Sequence, residues 1–260
     1  MTQPILNYEQ ITKLLEIFFK NYGYKPSTPS SLITNLTFNY GLNFEERDVL
    51  DNTYVVQKCG RVEDIKKADT LCTLPLFHMF VCSDTLSLDG LTQFMQYVIN
   101  TFQLDVSNIY LETSYSFVDV VNEFESKCGI KNVLYVKENI ALILNNGVGS
   151  LISPYGSSIG KIRGAMSINY RINANTQIEI AQITETRKDN IKTYCIGVGI
   201  ERLYTTINYY VKDVFIPNWY NTIPLFIIEV KKESLQTGVA LPIGYELIVN
   251  TDPKDIIVCT

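Results

Sequence analysis

Three stretches of the chain place apolar residues at spacings of three and four, the pattern that gives a helix one apolar face. Gly23 ends the first stretch, and Gly129 follows the third. We expect each apolar face to pack into a core. The three sets are Ile11, Leu14, Leu15, Phe18, Phe19 and Tyr22; Leu91, Phe94, Met95, Val98, Ile99 and Phe102; and Phe117, Val120, Val121, Phe124 and Cys128.

Seven shorter segments are rich in β-branched and aromatic residues and are predicted to be strands. Most are joined by short polar connections, which are typical of antiparallel pairing. The pattern therefore predicts an α+β fold, with a central antiparallel sheet and helices packed on it. The predicted strands are residues 53–59, 74–82, 108–113, 132–136, 167–172, 177–184 and 192–197.

The end of the chain has a different pattern. Three apolar runs, residues 225–230, 246–249 and 256–259, are separated by Pro and Gly. We interpret residues 1–213 as one domain and residues 214–260 as a small β-rich appendage. A chain of 260 residues has room for one large domain, and a second large one is not expected.

Composition narrows the function classes. With 22 Lys and Arg against 27 Asp and Glu, the net charge is −5, which argues against a general track for nucleic acid. The six cysteines have no short paired spacing and His78 is the only histidine, so a structural zinc site is not expected. No targeting or membrane-spanning segment is evident, and we expect a reducing, cytoplasmic setting.

Two segments carry recognisable chemistry. Residues 195–203 (CIGVGIERL) read as a strand that ends in two glycines and leads into a helix with Glu201 and Arg202 in its first turns. This resembles motif 3 of class II aminoacyl-tRNA synthetases. Residues 57–61 (QKCGR), followed by residues 75–79 (PLFHM), resemble motif 2 of the same class, a pair of antiparallel strands.

The order of further segments makes the resemblance closest to the alanyl enzyme. Residues 108–130 are similar to the strand, acidic turn and helix that follow motif 2 in that family, and residues 177–182 (QIEIAQ) are similar to its "IEIWN" strand. The likeness covers roughly residues 7–213. It implies the class II synthetase fold, an antiparallel sheet flanked by helices.

The resemblance also implies roles for individual residues. Arg61 would hold the α-phosphate of ATP, Arg202 would hold its γ-phosphate, and Phe77 would stack on adenine. A guanidinium offers two planar donors that suit the charge growing on a phosphate during attack by a carboxylate. Glu179 would supply a carboxylate ligand to Mg²⁺, which prefers hard oxygen donors.

Several alternatives stay open at these positions. Arg202 could form a surface ion pair, and Phe77 could be a core residue. Glu63 and Asp64 could reach the nucleotide or an amine, although an acidic pair at a strand end is commonly solvated. A lone histidine beside apolar residues, such as His78, is commonly a hydrogen-bonded core or pocket residue rather than a base.

The chain departs from the alanyl family at the substrate pocket, which we place near Gln182, Cys195, Gly197 and Gly199. Cys195 stands where the family has the aspartate that receives the amino group of alanine. A buried ammonium without a carboxylate partner is costly, so unchanged alanine recognition is not expected. Amine recognition would then need Glu63, Asp64 or Glu185, or the substrate would lack a charged α-amine. Nucleophilic use of Cys195 is the less favoured alternative to a small buried thiol.

Two functions follow as hypotheses. The first is ATP-dependent activation of an amino acid or related carboxylate as an acyl-adenylate, with transfer to a carrier protein, a small amine or a tRNA. The second is a synthetase paralogue that acts as a binding or regulatory subunit. Class II synthetases commonly pair through the element before motif 2, here residues 32–56, so a homodimer is expected.

Overall fold

The computed structural model describes residues 6–29, 33–34, 37–38, 52–60, 76–83, 85–136, 164–174, 176–188, 191–208, 225–229 and 246–250. This part of the chain has an α+β fold with four α-helices and one eight-stranded sheet. The helices are α1 (Tyr8–Asn21), α2 (Leu88–Phe102), α3 (Val118–Glu123) and α4 (Ile200–Asn208). The strands of the large sheet are β1 (Lys25–Pro26), β4 (Thr53–Gly60), β5 (Leu76–Cys82), β6 (Ile109–Thr113), β7 (Asn132–Tyr135), β8 (Gly164–Asn173), β9 (Thr176–Lys188) and β10 (Ile191–Gly199).

Four short strands lie outside the large sheet. β2 (Ile33–Thr34) pairs with β3 (Thr37–Phe38), and β11 (Leu225–Glu229) pairs with β12 (Glu246–Asn250). The second pair coincides with two of the three apolar runs predicted in the tail. The third run, residues 256–259, lies outside the described residues.

The three predicted helices are present, and local chemistry sets their ends. At the start of α1, Asn7 Oδ1 accepts a hydrogen bond from the Gln10 backbone N–H at 2.9 Å, and Gln10 Oε1 accepts one from the Asn7 N–H at 2.8 Å. This reciprocal cap satisfies two backbone donors. Gly23 and Gly129 follow the first and third helical segments with φ angles of +87° and +75°, which favour glycine.

The sheet is mixed rather than antiparallel throughout, so the predicted topology was wrong at its edges. The strand order is β1-β4-β5-β10-β9-β8-β6-β7, and the central pairs are antiparallel. The outer pairs β1/β4 and β6/β7 are parallel. Parallel neighbours need a crossover, and α3 supplies it between β6 and β7.

The main core lies between the sheet and the helices. Ile11, Phe19, Phe94 and Val120 from the helices form one buried cluster with strand residues such as Phe80. A second, smaller buried cluster contains Val55, Val81 and Cys195, which occupy the alternate strand positions. The helices therefore cover one face of the sheet and leave part of the other face for a cleft. Within the described residues, no helix combines the length and apolar character needed to span a membrane.

Candidate functional site

The elements that resemble motifs 2 and 3 are direct neighbours in the sheet. β10 pairs with β5, with Gly197 opposite Val81 and Gly199 opposite Met79, and it pairs on its other side with β9. α4 begins at Ile200, immediately after β10. A cleft of about 310 Å³, a volume that includes space open to solvent, lies on this part of the sheet. Its lining residues are Met79, Glu179, Ile180, Ala181, Gln182, Gly197, Gly199 and Arg202.

A β-bulge in β9 brings Glu179 and Gln182 into the same cleft. Residues three positions apart on a regular strand point to opposite faces. The pairing register between β8 and β9 shifts at this point, because Ile168 pairs with Ala181 whereas Asn169 pairs with Glu179. The extra residue, Ile180, shifts the alternation by one position, so the side chains of Glu179 and Gln182 point to the same face and both line the cleft.

Glu179 and Arg202 form an ion pair across this cleft. Arg202 Nη1 lies 2.9 Å from Glu179 Oε2 and also donates to the Glu179 backbone oxygen at 3.3 Å. The Arg202 side chain is 23% exposed and the Glu179 side chain is 27% exposed, so solvent reaches both. The sequence placed these two residues near one ligand, and the structure brings them into contact.

Two further polar residues adjoin Glu179. Ser167 donates a hydrogen bond from its hydroxyl to Glu179 Oε1 at 2.6 Å. Glu112 pairs with Ser167 along β6 and β8, in a row that continues to Gln182 and Gly197. Partial burial, and then the charge of Glu179, raise the pKa of the Glu112 carboxyl. The two carboxylates are therefore close enough for the charge of Glu179 to act on Glu112.

The two motif 3 glycines make room for side chains of the protein itself. A Cβ atom on Gly197 would lie 3.2 Å from Met79 Sδ, and one on Gly199 would lie 3.2 Å from Arg202 Cδ. From the sequence, the space above these glycines was expected to hold a substrate. In the structure, Met79 covers Gly197 and the aliphatic part of Arg202 covers Gly199, so the glycines set the depth at which these side chains lie.

Cys195 lies beside the cleft, on the same face of the sheet, rather than in its lining. It is 6% exposed, packs with Val55 and Val81, and its thiol donates to the Cys82 carbonyl oxygen at 3.1 Å. The position that would hold an amine-binding carboxylate in the alanyl family is therefore filled by a small buried group. This contact corresponds to the alternative of a buried thiol.

Two acidic residues lie on the helix-covered face, away from the cleft. Glu185 is opposite Tyr194, a core residue, and its Oε2 is 3.6 Å from Lys192 Nζ. Glu201 is 2% exposed and contacts His78, with Oε1 2.8 Å from His78 Nδ1. Glu185, one of three residues suggested for amine binding, therefore lies on the face of the sheet opposite to Gln182. His78 is a hydrogen-bonded residue of this face.

The remaining predicted site residues cannot be compared with the cleft. Arg61, Glu63 and Asp64 lie outside the described residues. Phe77 is described in its backbone only, where it pairs with Cys59 two positions before Met79. Among the described residues, no group of three or more His, Cys, Asp or Glu is arranged to hold a metal ion.

No protein family and no curated protein matches the chain. Among solved structures, it is similar to one described as the RNA binding domain of threonyl-tRNA synthetase from Cryptosporidium parvum Iowa II, with a TM-score of 0.48 and 8% sequence identity. The match covers 78% of this chain and 64% of that one, so the chain spans about two thirds of that structure's length. That neighbour comes from a tRNA synthetase.

Proposed function

We propose that the cleft between β5, β10, β9 and α4 binds ATP with Mg²⁺ and activates a carboxylate as an acyl-adenylate. The observation that carries the proposal is the Glu179–Arg202 pair, at 2.9 Å, beside a glycine-containing strand that leads into a helix. A guanidinium and a carboxylate at one partly exposed site can serve a phosphate and its metal ion respectively. The motif resemblance named the same two residues for those roles.

Arg202 would hold the γ-phosphate through donors that the Glu179 contact leaves available. A guanidinium has five N–H donors, and one of its terminal nitrogens makes both contacts to Glu179. Arg61 and Phe77 would complete the nucleotide site at the α-phosphate and the adenine, as the motif 2 resemblance implies. Pre-orientation of Arg202 by Glu179 reduces the entropy lost when the phosphate binds.

Glu179 would be the protein ligand to Mg²⁺, and Glu112 adds negative charge close by. Both residues supply hard oxygen atoms, which fit this ion, and two carboxylates are a usual protein contribution when the substrate provides phosphate oxygens. When bound, the ion neutralises phosphate charge. The protein residues hold the phosphates in line for attack.

In the proposed reaction, a carboxylate oxygen of the substrate attacks the α-phosphorus of ATP. The new O–P bond forms as the bond from the α-phosphorus to the bridging oxygen breaks, and pyrophosphate leaves with that electron pair. No proton transfer is needed, because the substrate carboxylate is already ionised. Arg61 and Arg202 would stabilise the charge that builds on the phosphate oxygens.

A second candidate, a binding or regulatory subunit, is favoured by one observation. Cys195 fills the position of the family's amine-binding aspartate with a buried thiol that donates to a backbone oxygen. Such a chain could retain a nucleotide cleft without recognising an amino acid. The two candidates differ in whether adenylate formation can be measured.

Pyrophosphate exchange across the common amino acids and simple carboxylic acids distinguishes them. We expect at least one carboxylate other than alanine to support exchange, and Arg202→Ala to abolish it. Arg171→Ala is the matched control, because Arg171 is an exposed arginine on β8 that does not line the cleft. If none of the tested amino acids or carboxylic acids supports exchange, the subunit candidate is favoured. Exchange with alanine alone, at a rate typical of a synthetase, would contradict our interpretation of Cys195.

A further inference from the structure

We infer that Glu201 and His78 are positioning residues, which hold the start of α4 against β5 so that Arg202 and Phe77 stay in register on one nucleotide. The inference rests on the proposed function. Neither residue lines the cleft, and the pair lies on the opposite, helix-covered face of the sheet. The effect on ATP therefore passes through the backbone of the neighbouring residues.

Strand β10 ends one residue before it would pair with His78 of β5, and the Glu201 side chain takes the place of the missing backbone acceptor. The last antiparallel pair between these strands is Gly199 with Met79, and the next pair would join residue 200 to His78. The chain turns into α4 at Ile200 instead. Glu201 Oε2 accepts the hydrogen bond from the His78 backbone N–H at 2.8 Å, while Oε1 lies 2.8 Å from His78 Nδ1. Both carboxylate oxygens thus bind the same residue of β5.

The surroundings of this pair make it rigid. Glu201 is 2% exposed, and a buried carboxylate is costly unless it is fully hydrogen-bonded. The Tyr8 ring of α1 packs on the His78 ring with a centroid distance of 4.8 Å. Burial, followed by the charge of Glu201, strongly raises the pKa of the Tyr8 hydroxyl. The Glu201 carboxylate therefore joins β5 to α4, and α1 packs on this pair through the Tyr8 ring.

Glu201 and His78 are each adjacent in sequence to a residue that is predicted to contact ATP. Glu201 precedes Arg202 on α4, and His78 follows Phe77 on β5. Side chains on a strand alternate between faces, so His78 points to the helix-covered face and Met79, the next residue on β5, points to the cleft. Fixing His78 therefore fixes the position of the β5 backbone that carries its neighbours. A shift of about 1 Å in such a support is enough to change catalysis by about 100-fold. Loss of the pair is expected to weaken ATP contacts selectively.

Steady-state pyrophosphate exchange with three variants tests the inference. We expect Glu201→Ala to raise KM for ATP about tenfold or more, with KM for the carboxylate substrate unchanged within about twofold. Glu201→Gln should recover most of the loss, because its amide oxygen still accepts from the His78 N–H. His78→Ala keeps the backbone bond and should raise KM for ATP by a smaller factor, so it serves if Glu201→Ala does not fold.

Glu185→Gln is the matched control, because Glu185 is also 2% exposed on the helix-covered face but lies outside the β5–α4 contact. It should change thermal stability without changing KM for ATP. An active wild-type protein whose KM for ATP is unaffected by Glu201→Ala or His78→Ala overturns the inference and leaves the proposed function standing. Absence of exchange and ATP binding in the wild type overturns both, since no ATP contact would then be positioned.

Discussion

Replacing Glu179 with glutamine should change ATP affinity in opposite directions with and without Mg²⁺. In the free protein, the Glu179 carboxylate neutralises Arg202 at 2.9 Å. Glu179→Gln removes one negative charge from the cleft but leaves the backbone contact at 3.3 Å that also orients Arg202. Without Mg²⁺, the phosphates then meet a less negative site and a more available guanidinium.

The size of the effect follows from the exposure of the pair. Its side chains are 23% and 27% exposed, and ion pairs that solvent reaches contribute about 0.2–1 kcal/mol. ATP affinity without Mg²⁺ should therefore increase about 1.4- to 5-fold. With Mg²⁺, the same variant loses a charged metal ligand, and the apparent affinity for ATP should fall.

Titration calorimetry of the wild type and variant, each with Mg²⁺ and with EDTA, measures both directions. Glu16→Gln is the control, because Glu16 also forms a 2.9 Å ion pair, with Lys20, and is 28% exposed. It removes the same charge far from the cleft and should leave both affinities unchanged. A Glu179→Gln protein weakened equally in the two conditions would refute the assigned metal role, since the loss would not depend on Mg²⁺.

Three further predictions concern the supporting structure. Lys192→Met should destabilise the fold by about 2 kcal/mol in chemical denaturation, because it removes the cation that lies 2.8 Å from Asp119 and 3.6 Å from the buried Glu185. Added Glu185→Gln should restore most of this, and an unchanged midpoint contradicts the assigned contact. Gly197→Ala should cost about 1 kcal/mol by pressing on Met79, 3.2 Å away, and Met79→Ala in the same chain should relieve it; equal losses with and without Met79 contradict that cause. Glu112 has a raised pKa in the folded state, so its contribution to stability is present below its ordinary value of 4.5 and is lost as pH rises through the raised value. In thermal melts, Glu112→Gln should therefore be more stable than the wild type at pH 7 and equal to it near pH 4. If the variant is still more stable at pH 4, the charge of Glu112 is not the cause of the difference.

Periodicity was sufficient to predict the elements but not all of their pairings. Apolar spacings located α1 and α2, because buried faces leave a direct trace in the sequence. The parallel pairing of β6 and β7 was missed, although the helical segment between them is the crossover that parallel strands require. β1 contains only Lys25 and Pro26, too few residues to form any alternating pattern.

The candidate site was predictable where a local motif carries it. Glu179 and Arg202 were named from the sequence and are in contact. The bulge at Ile180 leaves a trace that the sequence interpretation did not use, since the isoleucines are spaced by two at Ile178 and Ile180 and then by three to Ile183. The Glu201–His78 bond joins residues 123 positions apart, and neither residue type at its own position indicates the partner. Glu185 was one of three residues suggested for amine binding, and its position two residues after the apolar Ile183 already indicates the buried, helix-covered face.

Titration calorimetry of the wild-type protein with ATP and Mg²⁺ tests the central claim most directly. We expect a saturable heat with one nucleotide per chain, and its loss in Arg202→Ala but not in Arg171→Ala. The comparison assigns the heat to the cleft, since both variants lose one guanidinium and only one of them changes the lining. No heat at millimolar ATP, or a heat that Arg202→Ala leaves unchanged, would contradict the account.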